Sequence, residues 1–218
     1  MVAVKVCCIQ SLEEAERALA AGADALGLVG EMPSGPGPIP DSRIAEIAGA
    51  VAATTVLLTA ETQADDIIAH AQRCPTTALQ LVDGVAPRDI ALLRAALPER
   101  QLIQAIHVNG PSAVDQARDV WDHVDQLLLD SGSPNKAVKE LGGTGRTHDW
   151  RISAEIVREG PIPVWLAGGL TPENVTEAIR TTRPHGVDIC SGIRRNMSLD
   201  ANLMNLFFAA VARARSFV

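Results

Sequence analysis

The feature that most constrains this chain is an alternation, repeated eight times, of a short apolar run with a longer segment of helical character. The runs are Val2–Cys7, Ala25–Val29, Thr54–Thr59, Thr77–Leu81, Leu102–His107, Gln126–Asp130, and the stretches opening at Val164 and Gly186. Near-continuous apolar runs of this length, bounded by polar or small residues, are the pattern of parallel strands buried on both faces. Helices are expected after them: from Ser11 to about Ala21, with Glu14 completing a capping box, then Asp41–Ala52, Gln63–Cys74, Ala86–Ala96 and Pro111–Val120, one starting near Asp149, and Ser198–Arg213. Repeated β-then-α units with short connections predict an α/β chain folded as a single-domain (β/α)8 TIM barrel over residues 1–218. An open, doubly wound sheet is the alternative. The segment Ser131–Thr147, containing Gly142-Gly-Thr-Gly145, is long and polar, and is expected to be a mobile active-site loop.

Composition narrows the classes of partner. Aromatic residues are 3% of the chain, with no Tyr, and the formal net charge is -7. A nucleic-acid or anionic-membrane surface needs a basic face, so neither partner is expected, and an anionic ligand would have to be held by local dipoles. No apolar run reaches membrane-spanning length and no signal-peptide pattern opens the chain, which predicts a cytoplasmic protein. Cys7, Cys8, Cys74 and Cys190 lack metal-ligand spacing and do not suggest a disulfide scaffold, so reduced thiols are expected.

Two glycine turns suggest a phosphate cradle. Val164-Trp-Leu-Ala-Gly-Gly-Leu-Thr-Pro places Gly168 and Gly169 after the seventh run, with Thr171-Pro172 reading as an N-cap followed by Pro at the first helical position. Gly186-Val-Asp-Ile-Cys-Ser-Gly adds Ser191 and Gly192 after the eighth. Together they offer unobstructed amides and a helix N-terminus to an anion, where TIM barrels often bind phosphate. Glycines that merely turn corners are the plainer account. The polar residues at the carboxyl ends of the other runs are Cys7, Gln80, His107 and Asp130, with Asp188 inside the eighth. Cys7 and Asp130, from opposite parts of a barrel mouth, suit a base and an acid acting on two ends of a small substrate. Each has a plainer account too, Cys7 as a small buried hydrophobe and Asp130 as a loop cap. Alternation puts Lys5 on the face of Cys7, where its ammonium is expected to lower the thiol pKa.

In Val4-Lys-Val-Cys7 with Ile9, Ala21–Gly27, Leu127–Asp130, Gly142–Trp150, Ala167–Val175 and Val187–Gly192, the chain resembles the phosphoribosylanthranilate isomerase family of tryptophan biosynthesis. The resemblance implies an Amadori rearrangement of N-(5-phosphoribosyl)anthranilate without metal or organic cofactor. It implies Asp130 as general acid on the ribose ring oxygen, Cys7 as general base at C2, and phosphate held by Gly168, Gly169, Ser191 and Gly192, with Asp188 near the sugar. A small phosphorylated sugar is then the partner, and the chain is a monomer or homodimer. Departures from the family concern the aglycone: the loop Pro33–Pro40 has no basic residue, Val82 replaces a His, and Cys8 replaces a Gly. Arg146, Arg194 and Arg195 are candidates for the missing cation. A related phosphosugar isomerase with another aglycone, or a phosphoribosyl-ligand-binding barrel without turnover, are the competing readings.

Overall fold

The computed structural model describes residues 2–33, 35, 37–132, 141 and 145–214. The strands β1 (Ala3–Val6), β2 (Ala25–Val29), β3 (Thr54–Thr59), β4 (Ala78–Leu81), β5 (Gln101–His107), β6 (Gln126–Asp130), β7 (Val164–Leu166) and β8 (Gly186–Ile189) form a closed barrel in chain order. Closure rules out the open sheet: β1 pairs with β8 in parallel, placing Val4 beside Val187 and Lys5 beside Asp188. Helices α1 (Leu12–Ala20), α2 (Asp41–Ala50), α3 (Ala64–Arg73), α4 (Pro87–Ala96), α5 (Ser112–Val120), α6 (Trp150–Glu159), α7 (Val175–Thr182) and α8 (Ala201–Ala214) follow the strands one by one.

Period-2 alternation sorts the strand side chains into two layers. Val4, Val6, Leu26, Leu28, Leu57, Leu79, Leu81, Leu127, Leu129, Val187 and Ile189 pack with helix residues such as Ile44, Ile67, Ile90, Ile156 and Phe207. The alternate positions Ala25, Val56, Ala78, Ile103, Leu128 and Trp165 form a second, smaller cluster with Cys7 and Cys8. Trp165 fills space only because Gly186 stands opposite, where a Cβ would lie 2.4 Å from the indole. The inner layer also carries the buried polar side chains Lys5, Gln80 and Asp188, the first of which contacts the other two.

Three local expectations are corrected. The final helix starts at Ala201, because Asp200 is the better cap, its Oδ1 accepting the Asn202 and Leu203 amides at 2.9 and 3.0 Å. Ser198–Leu199 (β10) pairs instead with Arg194–Arg195 (β9) in an antiparallel ribbon. Helix α7 begins at Val175 rather than at Pro172, since Asn174 closes a turn on itself: its Oδ1 accepts the Thr171 amide at 2.8 Å and its Nδ2 donates to Gly169 O at 2.9 Å. Finally, Cys8 and Cys190 form a disulfide, while Cys7 and Cys74 are free thiols. The two partners lie 182 residues apart in sequence but follow the strands whose pairing closes the barrel. The capping box at α1 holds in modified form: Ser11 Oγ accepts the Glu14 amide, and Glu14 reaches back to the amide of Gln10. Among the described residues, no helix is long and apolar enough to cross a membrane.

Candidate active site

A cavity of about 700 Å³, counting its open mouth, lies at the carboxyl end of the barrel. Of the candidate residues singled out in the sequence, Cys7, Gln80, Asp130, Gly168, Gly169, Asp188 and Ser191 line it. Gly192 and Arg146 do not. Gly192 spaces the two glycine turns, since a Cβ there would fall 2.0 Å from Leu170 O. Arg146 is exposed, and its backbone lies against Gly169, where a Cβ would come within 2.5 Å of the Arg146 carbonyl carbon. Both Gly168 and Gly169 hold positive φ, +84° and +60°, so an L side chain at either is disfavoured by conformation as well as space. Residues 133–140 and 142–144 of the anticipated mobile loop lie outside the described residues. Leu141 and Gly145 from that segment line the cavity.

Cys7 follows β1, its amide donating to Ile189 O at 2.8 Å. Its sulfur packs against the bare Cα of Gly27 on β2, where an added Cβ would be 2.6 Å away. Burial pushes the Cys7 thiol up to about 12, outweighing the Lys5 ammonium that pulls it down. The expected lysine effect is therefore present but loses to desolvation, because Lys5 is committed elsewhere: its Nζ lies 2.9 Å from Asp188 Oδ2 and donates to Gln80 Oε1 at 3.0 Å. For Lys5 itself, burial disfavours the charge, but Asp188 and then Cys7 more than compensate and its pKa ends above the ordinary lysine range.

Asp130 ends β6 with its Oδ1 accepting the Ser131 amide at 2.7 Å. Burial raises its pKa, against the opposing pull of that amide and of His107. A raised carboxyl pKa is the direction a general acid needs. Asp188 turns Oδ2 to Lys5, and its buried Oδ1 has no partner among the described residues, leaving an acceptor at the cavity wall.

The remaining polar candidates do other work. His107 Nε2 pairs with Val82 O at 2.9 Å. His148 pairs with Ser153 Oγ at 2.7 Å beside α6. Arg194 is built into the wall, making a two-pronged pair with Glu14 at 2.9 and 3.0 Å and donating to Cys8 O, while Arg195 faces Asp200 at 3.3 Å. Sequence reasoning missed Gly27, whose role needs the neighbouring strand, and the Cys8–Cys190 bond, which lines the cavity next to Cys7.

The family model for N-(5'-phosphoribosyl)anthranilate isomerase matches residues 4–210. The isomerase of that name from Haloferax volcanii is 36% identical over 222 aligned positions, covering 100% of this chain and 96% of its own. The solved N-(5'-phosphoribosyl)anthranilate isomerase of Pyrococcus furiosus superimposes with a TM-score of 0.82 at 27% identity, covering 98% of this chain and 100% of its own. A phosphoribosyl anthranilate isomerase in complex with reduced 1-(o-carboxyphenylamino)-1-deoxyribulose 5-phosphate gives 0.78 at 25% identity, with 98% and 100% covered. By fold, by the extent of the match and by identity, the chain belongs to the N-(5'-phosphoribosyl)anthranilate isomerase family.

Proposed function

We propose that this chain, acting as one domain in the cytoplasm, isomerises N-(5'-phosphoribosyl)anthranilate to 1-(o-carboxyphenylamino)-1-deoxyribulose 5-phosphate, with Asp130 as acid and Cys7 as base. The observation that carries the reading is that a buried carboxyl, a buried thiol and two glycine turns share one cavity. The phosphate sits on the amides of Gly168, Gly169 and the Ser191–Gly192 turn, which fixes the sugar between the two reacting groups. Asp130, whose burial favours the protonated form, protonates the ring oxygen and the furanose opens to a Schiff base. The positive charge on that nitrogen offsets the cost of ionising the buried thiol. Cys7 takes the C2 proton, and the enolamine relaxes to the ketose. The free Oδ1 of Asp188 accepts a hydrogen bond from a sugar hydroxyl.

At the aglycone end, Arg194 is held by Glu14 and Arg195 faces Asp200, so both arginines that follow β8 are already engaged. The test is turnover of authentic substrate, followed by loss of its fluorescence, for wild type, Cys7→Ala and Asp130→Asn. Each substitution is expected to lower kcat by about 10²–10⁴. A wild type inert toward this substrate, or activity surviving both substitutions, defeats the proposal.

A further inference from the structure

Outside the catalytic cavity, three side chains of metal-binding chemistry converge between α2 and α3. Asp41 opens α2, and His70 and Cys74 stand one turn apart at the end of α3. One ligand atom from each of Asp41, His70 and Cys74 lies within 4.8 Å of the other two, and Asp41 Oδ1 and His70 Nε2 are 3.3 Å apart. Ligand atoms around a tetrahedral zinc-sized ion, bound at about 2.0–2.3 Å, stand roughly 3.3–3.8 Å from each other. One edge of the tetrahedron is thus already formed, and the sulfur needs a shift of about an ångström.

The atoms not facing this point are anchored. His70 Nδ1 pairs with Thr59 Oγ1 at 3.0 Å, and Asp41 Oδ2 accepts from Arg73 Nε at 2.6 Å. Outer contacts of this kind, one on the far nitrogen of the imidazole and one on the second carboxylate oxygen, are what orient metal ligands. The sulfur is fully buried, and its one hydrogen-bond contact among the described residues is a long one, 3.9 Å to Asp41 O. A salt bridge between Asp41 and His70 accounts for two of the three groups but not for a buried thiol aimed at them.

We propose that Asp41, His70 and Cys74 form a binding site for a divalent transition-metal ion of the zinc class, with the fourth position open to water. Thiolate and imidazole select such an ion over magnesium or calcium. Binding releases the Cys74 thiol proton to solvent and displaces the proton that His70 Nε2 shares with Asp41 Oδ1, so that the imidazole binds neutral with its one ring proton on Nδ1, where Thr59 Oγ1 accepts it. The role is structural. None of the three residues lines the catalytic cavity, but the ion ties α2 to α3 at the exit of the loop that brings Met32 and Gly35 to the cavity wall. The His70 ring also backs Gly30, where that loop leaves β2, since a Cβ there would be 2.4 Å from the imidazole.

The test uses the untagged full chain, stripped with chelator and titrated with Co²⁺ under absorbance. The expected result is saturation at one equivalent with a near-ultraviolet thiolate-to-cobalt charge-transfer band and visible bands of tetrahedral intensity, all lost on adding Zn²⁺. The band persists in Cys7→Ala. Cys74→Ser abolishes it, and His70→Gln or Asp41→Asn weakens binding at least about tenfold. Zn²⁺ raises the melting temperature of wild type and of Cys7→Ala but not of Cys74→Ser. A wild type with no thiolate band at stoichiometric Co²⁺ overturns the site, and that measurement stands even if a variant fails to fold. A band of full intensity in Cys74→Ser overturns it as well.

Discussion

Lys5 and Asp188 form an ion pair inside the barrel, 2.9 Å from Nζ to Oδ2, with side chains 1% and 8% exposed. Both charges are largely withdrawn from water, so each depends on the other, and the ammonium also on Gln80. Removing one partner of a buried pair strands the other at a cost of roughly 3–5 kcal/mol. Asp188→Asn is therefore expected to lower unfolding free energy by about that amount in urea titration. The double variant Lys5→Met/Asp188→Leu, which removes both charges, recovers most of the loss. Equal stability of Asp188→Asn and wild type shows that water reaches Lys5 after all.

Gly27 tests the placement of the thiol without altering it. An alanine there puts a Cβ 2.6 Å from Cys7 Sγ and 3.0 Å from Cys7 Cα, and two adjoining strands leave little room to give. Overpacking of this kind costs about 1–3 kcal/mol. Gly27→Ala is expected to lose stability on that scale and to lower kcat by at least about tenfold through misplacement of the base. Inorganic phosphate should bind as in wild type. A kcat left unchanged means that the position of Cys7 does not limit the reaction.

His148 is expected to make stability fall in mild acid. Burial of its imidazole pulls the pKa from 6.5 down to about 4. A histidine whose folded pKa is depressed binds its proton better when unfolded, so its contribution is complete above about 6.5 and drains away as pH falls toward 4. The shift corresponds to about 3 kcal/mol. Between pH 6.5 and 4.5, ahead of most carboxylate titration, the wild-type melting temperature is expected to decline and that of His148→Gln to decline less. Parallel curves refute the assignment.

What the sequence made legible, and what it did not, divides along a physical line. Thr54–Thr59 and Gln126–Asp130 are strands with the boundaries anticipated, because burial on both faces and the polar residues that end it are local properties. The end of α7 nearest the cavity was misplaced because Asn174 and Thr171 compete for the same cap, and the outcome depends on Gly169 O as a third partner. The net shift of the Cys7 thiol was misjudged in direction. Alternation shows that Lys5 shares its face, but not that Asp188 and Gln80 claim the ammonium, nor that desolvation dominates. The cysteines taken among themselves show no metal-ligand spacing, and the grouping of Cys74 with His70 and Asp41 comes only from the packing of α3 on α2.

The Cys8–Cys190 bond carries the last expectation. It joins the residue after Cys7 to the residue before the Ser191–Gly192 turn, across the seam where β8 meets β1. Constraining 182 residues of separation restricts the unfolded chain, so breaking the bond is expected to cost about 2–5 kcal/mol. Part of this returns in Cys8→Gly, because Cys8 holds φ at +62°, a conformation that glycine adopts without strain. Urea titrations with and without a dithiol reductant should therefore separate for wild type, while Cys8→Ser/Cys190→Ser shows no effect of reductant and Cys8→Gly lies above Cys8→Ser. Coincident wild-type curves, with both cysteines alkylated by a thiol reagent in the unreduced denatured protein, show that the chain holds two thiols there instead.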